Sequence, residues 1–596
     1  MELAYIWVEK FRNIVEQGFN ISSKYIFNYD KERSFLEIRP NEKWIDNFFE
    51  NPAITNVTAI VGQNASGKTN VLELINYALC EGNTKIAEPF FMVFCGNDRF
   101  TLVTYLVQTI KSNLNDNLTY INYDYETYVE AIYCSNIFDG RRHDFGKKVY
   151  DISTNTQIQN QYREGIMTKF KKEIQNQILF MKSSEFDFLQ KEEGLVTDRL
   201  PFNLRPTHVN LTSPNWSYIY TRSKAFDRKM ATILDEDYSE LTRFCVSFRK
   251  KITDNQSSKS IYYLTAFLLY IDFIINEFAP QVGRDFRTEE TNKDQELRIL
   301  KFEEFSKQND GKNGLRKELD KICLEQLKDA RINEIHGVIT NDISRYIDAE
   351  YPYAIEKAMF LSDLGRFEYY GVEKQHEGTH SNRKIQFRSE YNPEIESFIY
   401  RYLRASTGSN LDYAIEWNGI SSGHKAFLNL FSRFHSIKND IKSGSILITL
   451  DEGDLYFHPK WQTEYLYKLL EALPKIFNGK EIQLILTTHS PFLISDLTKN
   501  NLIFLKKDQN GLCNVIPNEK IEGETFGGNI GELYLDAFFL DGNLISRFAA
   551  KKINILATKA VSKIPFKEAD FTLLNSIGED IIKLQIKRLV DDQSSR

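Results

Sequence analysis

The stretch "GQNASGKT", residues Gly62 to Thr69, decides the fold of this chain. It matches the phosphate-loop pattern G-x-x-x-x-G-K-[ST] at every fixed position. The apolar run "VTAIV" before it predicts a buried strand, and "TNVLELINYAL" after it predicts an amphipathic helix. A strand, a glycine-rich turn and a helix start in this order direct backbone N–H groups at the phosphates of a nucleotide. The sequence therefore predicts an α/β fold with a nucleotide site at the end of this strand.

Two side chains of this loop carry its chemistry. Lys68 is expected to reach the β- and γ-phosphates, and the Thr69 hydroxyl is expected to ligate Mg²⁺. The other predicted nucleotide-binding residues of the loop are Gly62, Asn64, Ala65, Ser66 and Gly67.

A second apolar run, "SILITL", leads directly into Asp451 and Glu452. It predicts a buried strand whose end carries two adjacent carboxylates. Asp451 would hold Mg²⁺, directly or through water, and Glu452 would polarise the attacking water, so that Glu452 is a predicted catalytic residue. A third run, "IQLILTTHSP", ends in His489, which we predict to reach the γ-phosphate or the water from the tip of a neighbouring strand.

Composition restricts the class of protein. A chain of 596 residues is too long for one ordinary core, so it has several domains or one domain with a large insertion. A net charge of −7 argues against a protein that coats nucleic acid nonspecifically. The six cysteines are scattered, and the N-terminal stretch lacks a secretory signal pattern, so we expect reduced thiols and a cytoplasmic location. The apolar stretch from Ile261 to Phe278 contains Asp272, which favours a buried helix over a membrane span.

The pattern of strand-like and helix-like runs changes twice along the chain. Alternating strand-like and helix-like runs give way to long, charged, helical-looking segments, and α/β texture then returns. We predict the first half of an ATPase head at 1–150, a largely helical insertion at 151–400, the second half of the head at 401–510 and a helical tail at 511–596.

The stretch "ISSGHKA" places Ser421, Ser422 and Gly423 at a predicted helix start. The order "GQNASGKT", "SSGHKA", "LDEGD", "TTHSP", with a helical insertion between the first two, resembles ABC-type ATPase heads. SMC proteins, DNA-repair ABC ATPases and overcoming-lysogenisation-defect nucleases share it. The resemblance implies ATP and Mg²⁺ as cofactors. It also implies that this signature turn binds the γ-phosphate of ATP held by another subunit, in a homodimer or higher oligomer. One departure is His424, which stands where Gln or Glu is usual.

A closer resemblance lies near the end of the chain. "FGGNIGELYLDAFFLDGNLISRFA", residues 526–549, and the upstream "IYCSNIFDG" are similar to the PtuA-type ATPases of Septu and retron-associated anti-phage systems. This resemblance implies an ATPase, which converts ATP and water to ADP and phosphate. A slow turnover is compatible with this assignment. It also implies a partner, a separate HNH nuclease subunit that the ATPase regulates.

Two other functions stay open at this level. The first is a DNA-clamping SMC or repair ATPase without a nuclease partner, although the insertion shows no sustained heptads. The second is a self-contained ribonuclease using Arg331 and His336, which have the Arg-x4-His spacing of HEPN enzymes.

Several weaker patterns concern metal and nucleic acid. "HEGTH", His376 to His380, fits a zinc-protease pattern, but its surroundings predict a hairpin tip instead of the helix that zinc binding requires. Basic clusters leave open a contact with DNA, tRNA or retron msDNA. They lie at 141–148, 169–172 and 248–251.

Overall fold

The structure is a computed structural model. It describes residues 1–80, 85–96, 99–107, 109–114, 117–122, 129–141, 143–157, 166–190, 205–212, 368–375, 382–405, 414–537 and 545–594.

A seven-stranded sheet forms the centre of the fold. Its order is β11-β10-β16-β17-β5-β18-β19, and every neighbouring pair is parallel except β18 and β19. The strands are β5 (Ile54–Gly62), β10 (Val129–Ser135), β11 (Val149–Asp151), β16 (Ser445–Asp451), β17 (Glu481–Thr487), β18 (Leu502–Lys507) and β19 (Cys513–Ile516). Because β10 and β16 pair directly, the two halves that the sequence separates form one sheet.

Two more sheets lie on one side. A five-stranded sheet has the order β2-β1-β6-β7-β9, and a three-stranded sheet has the order β3-β4-β8. The strands are β1 (Glu2–Phe11), β2 (Ile14–Asn20), β3 (Tyr25–Asp30), β4 (Phe35–Pro40), β6 (Phe90–Gly96), β7 (Arg99–Tyr105), β8 (Lys111–Ser112) and β9 (Leu118–Asn122). Alternating residues of β1 face opposite ways: Ile6 and Val8 pack toward the central sheet, whereas Tyr5 and Trp7 pack toward the three-stranded sheet.

Helix α1 (Lys68–Leu79) fills the space between the central and five-stranded sheets. It is buried nearly all round, from Val71 to Leu79, because sheets cover both of its sides. Its first turn is therefore fixed relative to every strand of the central sheet.

The opposite face of the central sheet carries helices and a four-stranded sheet with the order β13-β14-β12-β15. The strands are β12 (His208–Thr212), β13 (Glu368–Gln375), β14 (Asn382–Glu390) and β15 (Ala414–Asn418). The helices are α2 (Ile166–Met181), α3 (Ser184–Gln190), α4 (Pro393–Ala405), α5 (Ser422–Ile437), α6 (Pro459–Ile476) and α7 (Pro491–Ser495).

The end of the chain is helical. Its helices are α8 (Ile530–Ala537), α9 (Arg547–Val561), α10 (Glu568–Asn575) and α11 (Asp580–Ser594). The last three share a small core that includes Leu556, Leu574 and Ile586. None of the described helices is long and apolar enough to cross a membrane.

The predicted α/β class is confirmed, with a mostly parallel sheet whose halves are separated in sequence. The described part of 151–400 contains helices α2 and α3 and most of α4. It also contains β12, which pairs with β15 and β14, and β13, which pairs with β14. The strands flanking 376–381 form an antiparallel hairpin. Residues 261–278, Arg331, His336 and the "HEGTH" stretch lie outside the described residues.

Candidate functional site

The phosphate loop leaves β5 and curls into α1 by using unusual backbone angles. Gly62 has φ 147°, and a Cβ there would lie 2.0 Å from the Leu505 carbonyl oxygen of β18. Gly67 has φ 109° and directly precedes α1. Only glycine adopts such angles without strain, so both fixed glycines of the pattern have a structural reason. Ala65, at φ 61°, completes the curl.

Lys68 lies in the centre of the loop that it closes. Its side chain is 6% exposed, and its ammonium donates to the carbonyls of Gly62 and Gln63, both at 3.2 Å. Burial lowers the pKa of Lys68, whereas Glu452 and Asp451 act in the opposite direction. The predicted phosphate-binding lysine is thus held inside the loop and close to the acidic residues of β16.

Thr69 and Asp451 meet although they are far apart in sequence. The Thr69 hydroxyl lies 3.1 Å from both carboxylate oxygens of Asp451, which is 2% exposed. Burial raises the pKa of Asp451 to about 6, against a hydrogen bond from Thr487 that lowers it. A hydroxyl and a carboxylate are hard oxygen ligands of the kind that Mg²⁺ prefers. The buried Ser66 hydroxyl has no hydrogen-bond partner among the described atoms, which fits a loop built for a polar ligand.

Glu452 and His489 project from adjacent strand ends. Glu452 has φ 47°, and its carboxylate oxygen Oε1 lies 3.4 Å from His489 Nε2. The hydrogen bond from His489 lowers the pKa of Glu452, and Lys68 adds to this effect. The Glu452 side chain is 20% exposed and that of His489 39%. Both therefore reach solvent at the edge where the phosphate loop ends.

Thr487, the last residue of β17, connects these groups and was not identified from the sequence. Its hydroxyl donates to Asp451 Oδ1 at 2.6 Å and accepts from the Glu452 N–H at 2.9 Å. Parallel register places Thr487 opposite Asp451. The only sequence signal is its position at the end of a predicted strand, two residues before His489.

The β1–β2 turn also touches the site. The Asn13 side-chain oxygen accepts a hydrogen bond from Asn70 at 2.7 Å and lies 3.1 Å from the position of a Cβ on Gly67. Cys513 donates its N–H to the Asn13 carbonyl at 2.8 Å. Asn13 therefore packs against the last turn of the phosphate loop.

The signature residues lie at the start of α5. Ser421 is the N-cap: its Oγ accepts from the His424 N–H at 3.2 Å, and its N–H donates to His424 Nδ1 at 3.3 Å. The His424 ring packs edge-to-face against the ring of Trp461 in α6, with the two ring centroids 4.4 Å apart. Burial lowers the pKa of His424. Ser421 and Ser422 are exposed, whereas Gly423 is buried, and a Cβ added to it would lie 3.7 Å from the Tyr456 carbonyl oxygen. The described contacts of this turn involve neither the phosphate loop nor Asp451.

Two residues of the basic cluster at 141–148, Arg141 and His143, lie next to the buried carboxylate of Glu73. Glu73 of α1 is fully buried and pairs with Arg12 and with Arg141, the latter at 3.2 Å, while Arg141 also binds Asp139 at 2.6 Å. His143 is 4% exposed and faces the same carboxylate at 4.0 Å. Residues 248–251 lie outside the described residues, and the described ranges hold no group of three or more His, Cys, Asp or Glu suited to a metal ion.

A strand, a phosphate loop and a helix beside one strand end with two carboxylates define a nucleotide-binding ATPase domain. A family model described as AAA ATPase domain matches residues 45–494, and the chain belongs to that family.

Two individual relatives match short parts of the chain. Septu protein PtuA of Bacillus thuringiensis is 30% identical over 131 residues, 20% of this chain and 32% of that protein. The probable ATPase of retron Vc95 of Vibrio cholerae serotype O1 biovar El Tor is 30% identical over 115 residues, 17% of this chain and 21% of that protein. The resemblance predicted from the sequence is thus confirmed, over a minor part of each relative's length.

One solved structure has weak overall likeness. The recombination mediator protein RecF-ATPrS in the RecFOR pathway is 12% identical and covers 87% of this chain and 98% of that chain, with a TM-score of 0.21. A likeness at this level carries no argument about function.

Proposed function

We propose that the chain is a Mg-ATP-dependent ATPase that dimerises around ATP and regulates a partner HNH nuclease in anti-phage defence. One observation carries the ATPase part. Lys68 and Thr69 of the phosphate loop meet Asp451, Glu452 and His489 at one edge of the central sheet. This convergence of a cation, two carboxylates and an imidazole suits phosphoryl transfer to water.

Each residue has a separate task. The loop amides and Lys68 bind and orient the phosphates, so that the transferred group is fixed. Thr69 and Asp451 would hold Mg²⁺, which supplies charge neutralisation at the phosphate oxygens when bound. Glu452 accepts a proton from the attacking water at a carboxylate oxygen, and His489 Nε2 orients that carboxylate.

Dimerisation is supported by the signature turn. The N-cap Ser421 and the first helical residue Ser422 are exposed, and the resemblance to ABC-type heads assigns the turn of Ser421, Ser422 and Gly423 to a partner's γ-phosphate. A two-fold arrangement then makes two identical composite sites.

The defence role follows from the named relatives, a Septu protein and a retron ATPase. In this proposal the ATPase holds a separate HNH nuclease subunit and releases or activates it on infection. A tagged chain isolated from its native host is expected to carry such a subunit, and isolation without any nuclease would contradict this part.

The ATPase and regulator parts are tested together by incubating the purified chain with plasmid DNA and tRNA, with Mg-ATP and without nucleotide. We expect ADP formation that Lys68→Ala abolishes, and intact nucleic acids in every lane. Cleavage that disappears in His336→Ala would instead identify a self-contained ribonuclease. Absence of ADP formation under all conditions would remove the ATPase assignment.

A further inference from the structure

The turn after β16 holds Glu452 in a backbone conformation that side chains rarely adopt. Its φ of 47° is left-handed, although the residue is not glycine. Such a conformation persists only where surrounding groups fix it, and it recurs at functional sites. The position of the Glu452 carboxylate therefore depends on the contacts that hold this turn.

The turn has one internal hydrogen bond, from the Leu455 N–H to the Glu452 carbonyl at 3.1 Å. Two side chains at the ends of other strands add one hydrogen bond on each side of Glu452. The Glu452 N–H donates to the Thr487 hydroxyl at 2.9 Å, which fixes the peptide before it. The Gly453 carbonyl accepts from the Asn136 side-chain amide at 3.0 Å, which fixes the peptide after Gly453. Asn136 is 7% exposed, so water competes little for this bond.

The position of Asn136 in the sheet brings its side-chain amide to this turn. Asn136 directly follows β10, whose last residue Ser135 is in register with Asp451 of β16. Beyond it, the N–H groups of Asp139 and Gly140 bind the Asn155 side chain at 3.2 and 3.1 Å, so that the start of this loop is itself anchored.

The other side of the turn is closed sterically. A Cβ on Gly453 would lie 2.0 Å from the Tyr465 hydroxyl of α6, so residue 453 has no room for a side chain. The Tyr465 hydroxyl is buried and has no hydrogen-bond partner among the described atoms. The turn thus packs against α6 on one side and is hydrogen-bonded to the Asn136 side chain, at the end of β10, on the other.

We propose that Asn136 is a positioning residue that holds the Glu452 carboxylate in its hydrolytic orientation. The proposal rests on the proposed function, in which Glu452 takes the proton of the attacking water. Without the amide, the Gly453 peptide can rotate and Glu452 can leave its left-handed conformation. Nucleotide binding is unaffected, since the phosphate loop makes none of these contacts.

The test compares steady-state ATP hydrolysis and fluorescent-nucleotide binding across a set of variants. Asn136→Ala is expected to lower kcat about 10- to 100-fold with KM and nucleotide affinity within about twofold, the scale of a misplaced catalytic group. Asn136→Asp keeps the side-chain shape but lacks the donor, and should lose at least as much. Tyr465→Phe removes the α6 hydroxyl that lies against the same turn, without breaking a hydrogen bond among the described atoms, and should leave kcat within about twofold.

The decisive variant is the double substitution Asn136→Ala with Glu452→Gln. If Asn136 acts through Glu452, the double variant hydrolyses ATP as slowly as Glu452→Gln and no slower. A further multiplicative loss, an unchanged kcat in Asn136→Ala and Asn136→Asp, or an equal loss from Tyr465→Phe would each overturn the proposal. Full turnover by Glu452→Gln alone would show that the proposed role of Glu452 has failed, and the positioning role with it.

Discussion

Two helix starts in this protein carry serine and glycine, and they are built differently. Helix α1 begins after Gly67 without any side-chain cap, amid polar groups from β16 and β17. Helix α5 begins after Ser421, which together with His424 forms a complete capping box, and its neighbour is the Trp461 ring. At an uncapped helix start, the first N–H groups can all donate to a ligand. At a capped start, some of these N–H groups already donate to the capping side chains.

The comparison shows how much of each site one chain supplies. The phosphate loop has its cation, metal-type ligands and candidate base within the same chain. The signature turn, in the described residues, has only its cap and an exposed face. In our proposal the rest of that site belongs to a second subunit.

The largest expected effect is at the complete site. Glu452→Gln removes the group that accepts a proton, so ATP turnover should fall about 10²- to 10⁴-fold while ATP binding persists. An ATP-dependent dimer should then accumulate, as measured by light scattering. Glu522→Gln, at an exposed position, is the matched control and should hydrolyse ATP normally. Undiminished turnover by Glu452→Gln would remove Glu452 from its role.

The second prediction breaks the two turns separately and recombines them. Lys68→Ala and Ser422→Arg should each abolish hydrolysis in a homodimer. Mixed in equal amounts, they should recover roughly a quarter of the wild-type rate, because half of the dimers contain one intact site out of two. Two different affinity tags confirm mixing. No recovery in confirmed heterodimers would argue against a composite site.

Thr487 tests the connections inside the complete site. Thr487→Val keeps the shape but removes the hydroxyl that binds both Asp451 and the Glu452 N–H, so turnover should fall about 10- to 100-fold. The Mg²⁺ concentration for half-maximal rate should rise in the same variant. Thr487→Ser retains the hydroxyl and should restore both quantities. A valine variant with normal Mg²⁺ dependence would show that this hydroxyl does not support the metal ligand.

A smaller effect is expected at the signature cap. His424→Gln supplies an acceptor of similar reach for the Ser421 N–H and should dimerise with ATP like the wild type. His424→Leu lacks the acceptor and should weaken ATP-dependent dimerisation up to about tenfold, the scale of one lost cap interaction. Equal behaviour of both variants in sedimentation experiments would show that the cap does not shape the dimer contact.

The smallest effect concerns the far end of α5, where Lys438 pairs with Glu185 of α3 at 2.6 Å. Burial raises the pKa of Glu185, but the hydrogen bond from Lys438, a backbone hydrogen bond and the charges of Lys438 and His435 together lower it from 4.5 to about 2. This pair therefore stabilises the fold above pH 4.5, and the stabilisation is lost as pH falls toward 2. Glu185→Gln should cost about 1–2 kcal/mol in the free energy of unfolding at pH 6, and less at pH 3.5. Urea unfolding with the same difference at both pH values would contradict this.

The sequence was informative wherever chemistry depends on a local pattern. A phosphate loop needs glycines at fixed spacing beside a strand, so Gly62, Gly67 and Lys68 could be identified from their neighbours alone. An apolar run that ends in "DE" or "THS" likewise predicts a strand end. A nucleic-acid contact by the basic cluster at 141–148 stays a prediction. Its charge is visible in the sequence, but the pairing of Arg141 with the buried Glu73 of α1 is seen only in the structure.

By itself, the sequence determined the α/β class, the nucleotide loop and the residues at three strand ends, because backbone conformation and strand burial are encoded locally. The tertiary structure alone decided that Thr487 connects Asp451 with Glu452 and that Asn136 holds the turn after β16. Thr487 and Asp451 lie at the ends of neighbouring strands, and Asn136 and Gly453 are separated by the whole insertion. Whether such residues meet depends on the order and register of the strands in the sheet. Register arises from the packing of the whole core, and no short stretch of sequence specifies it.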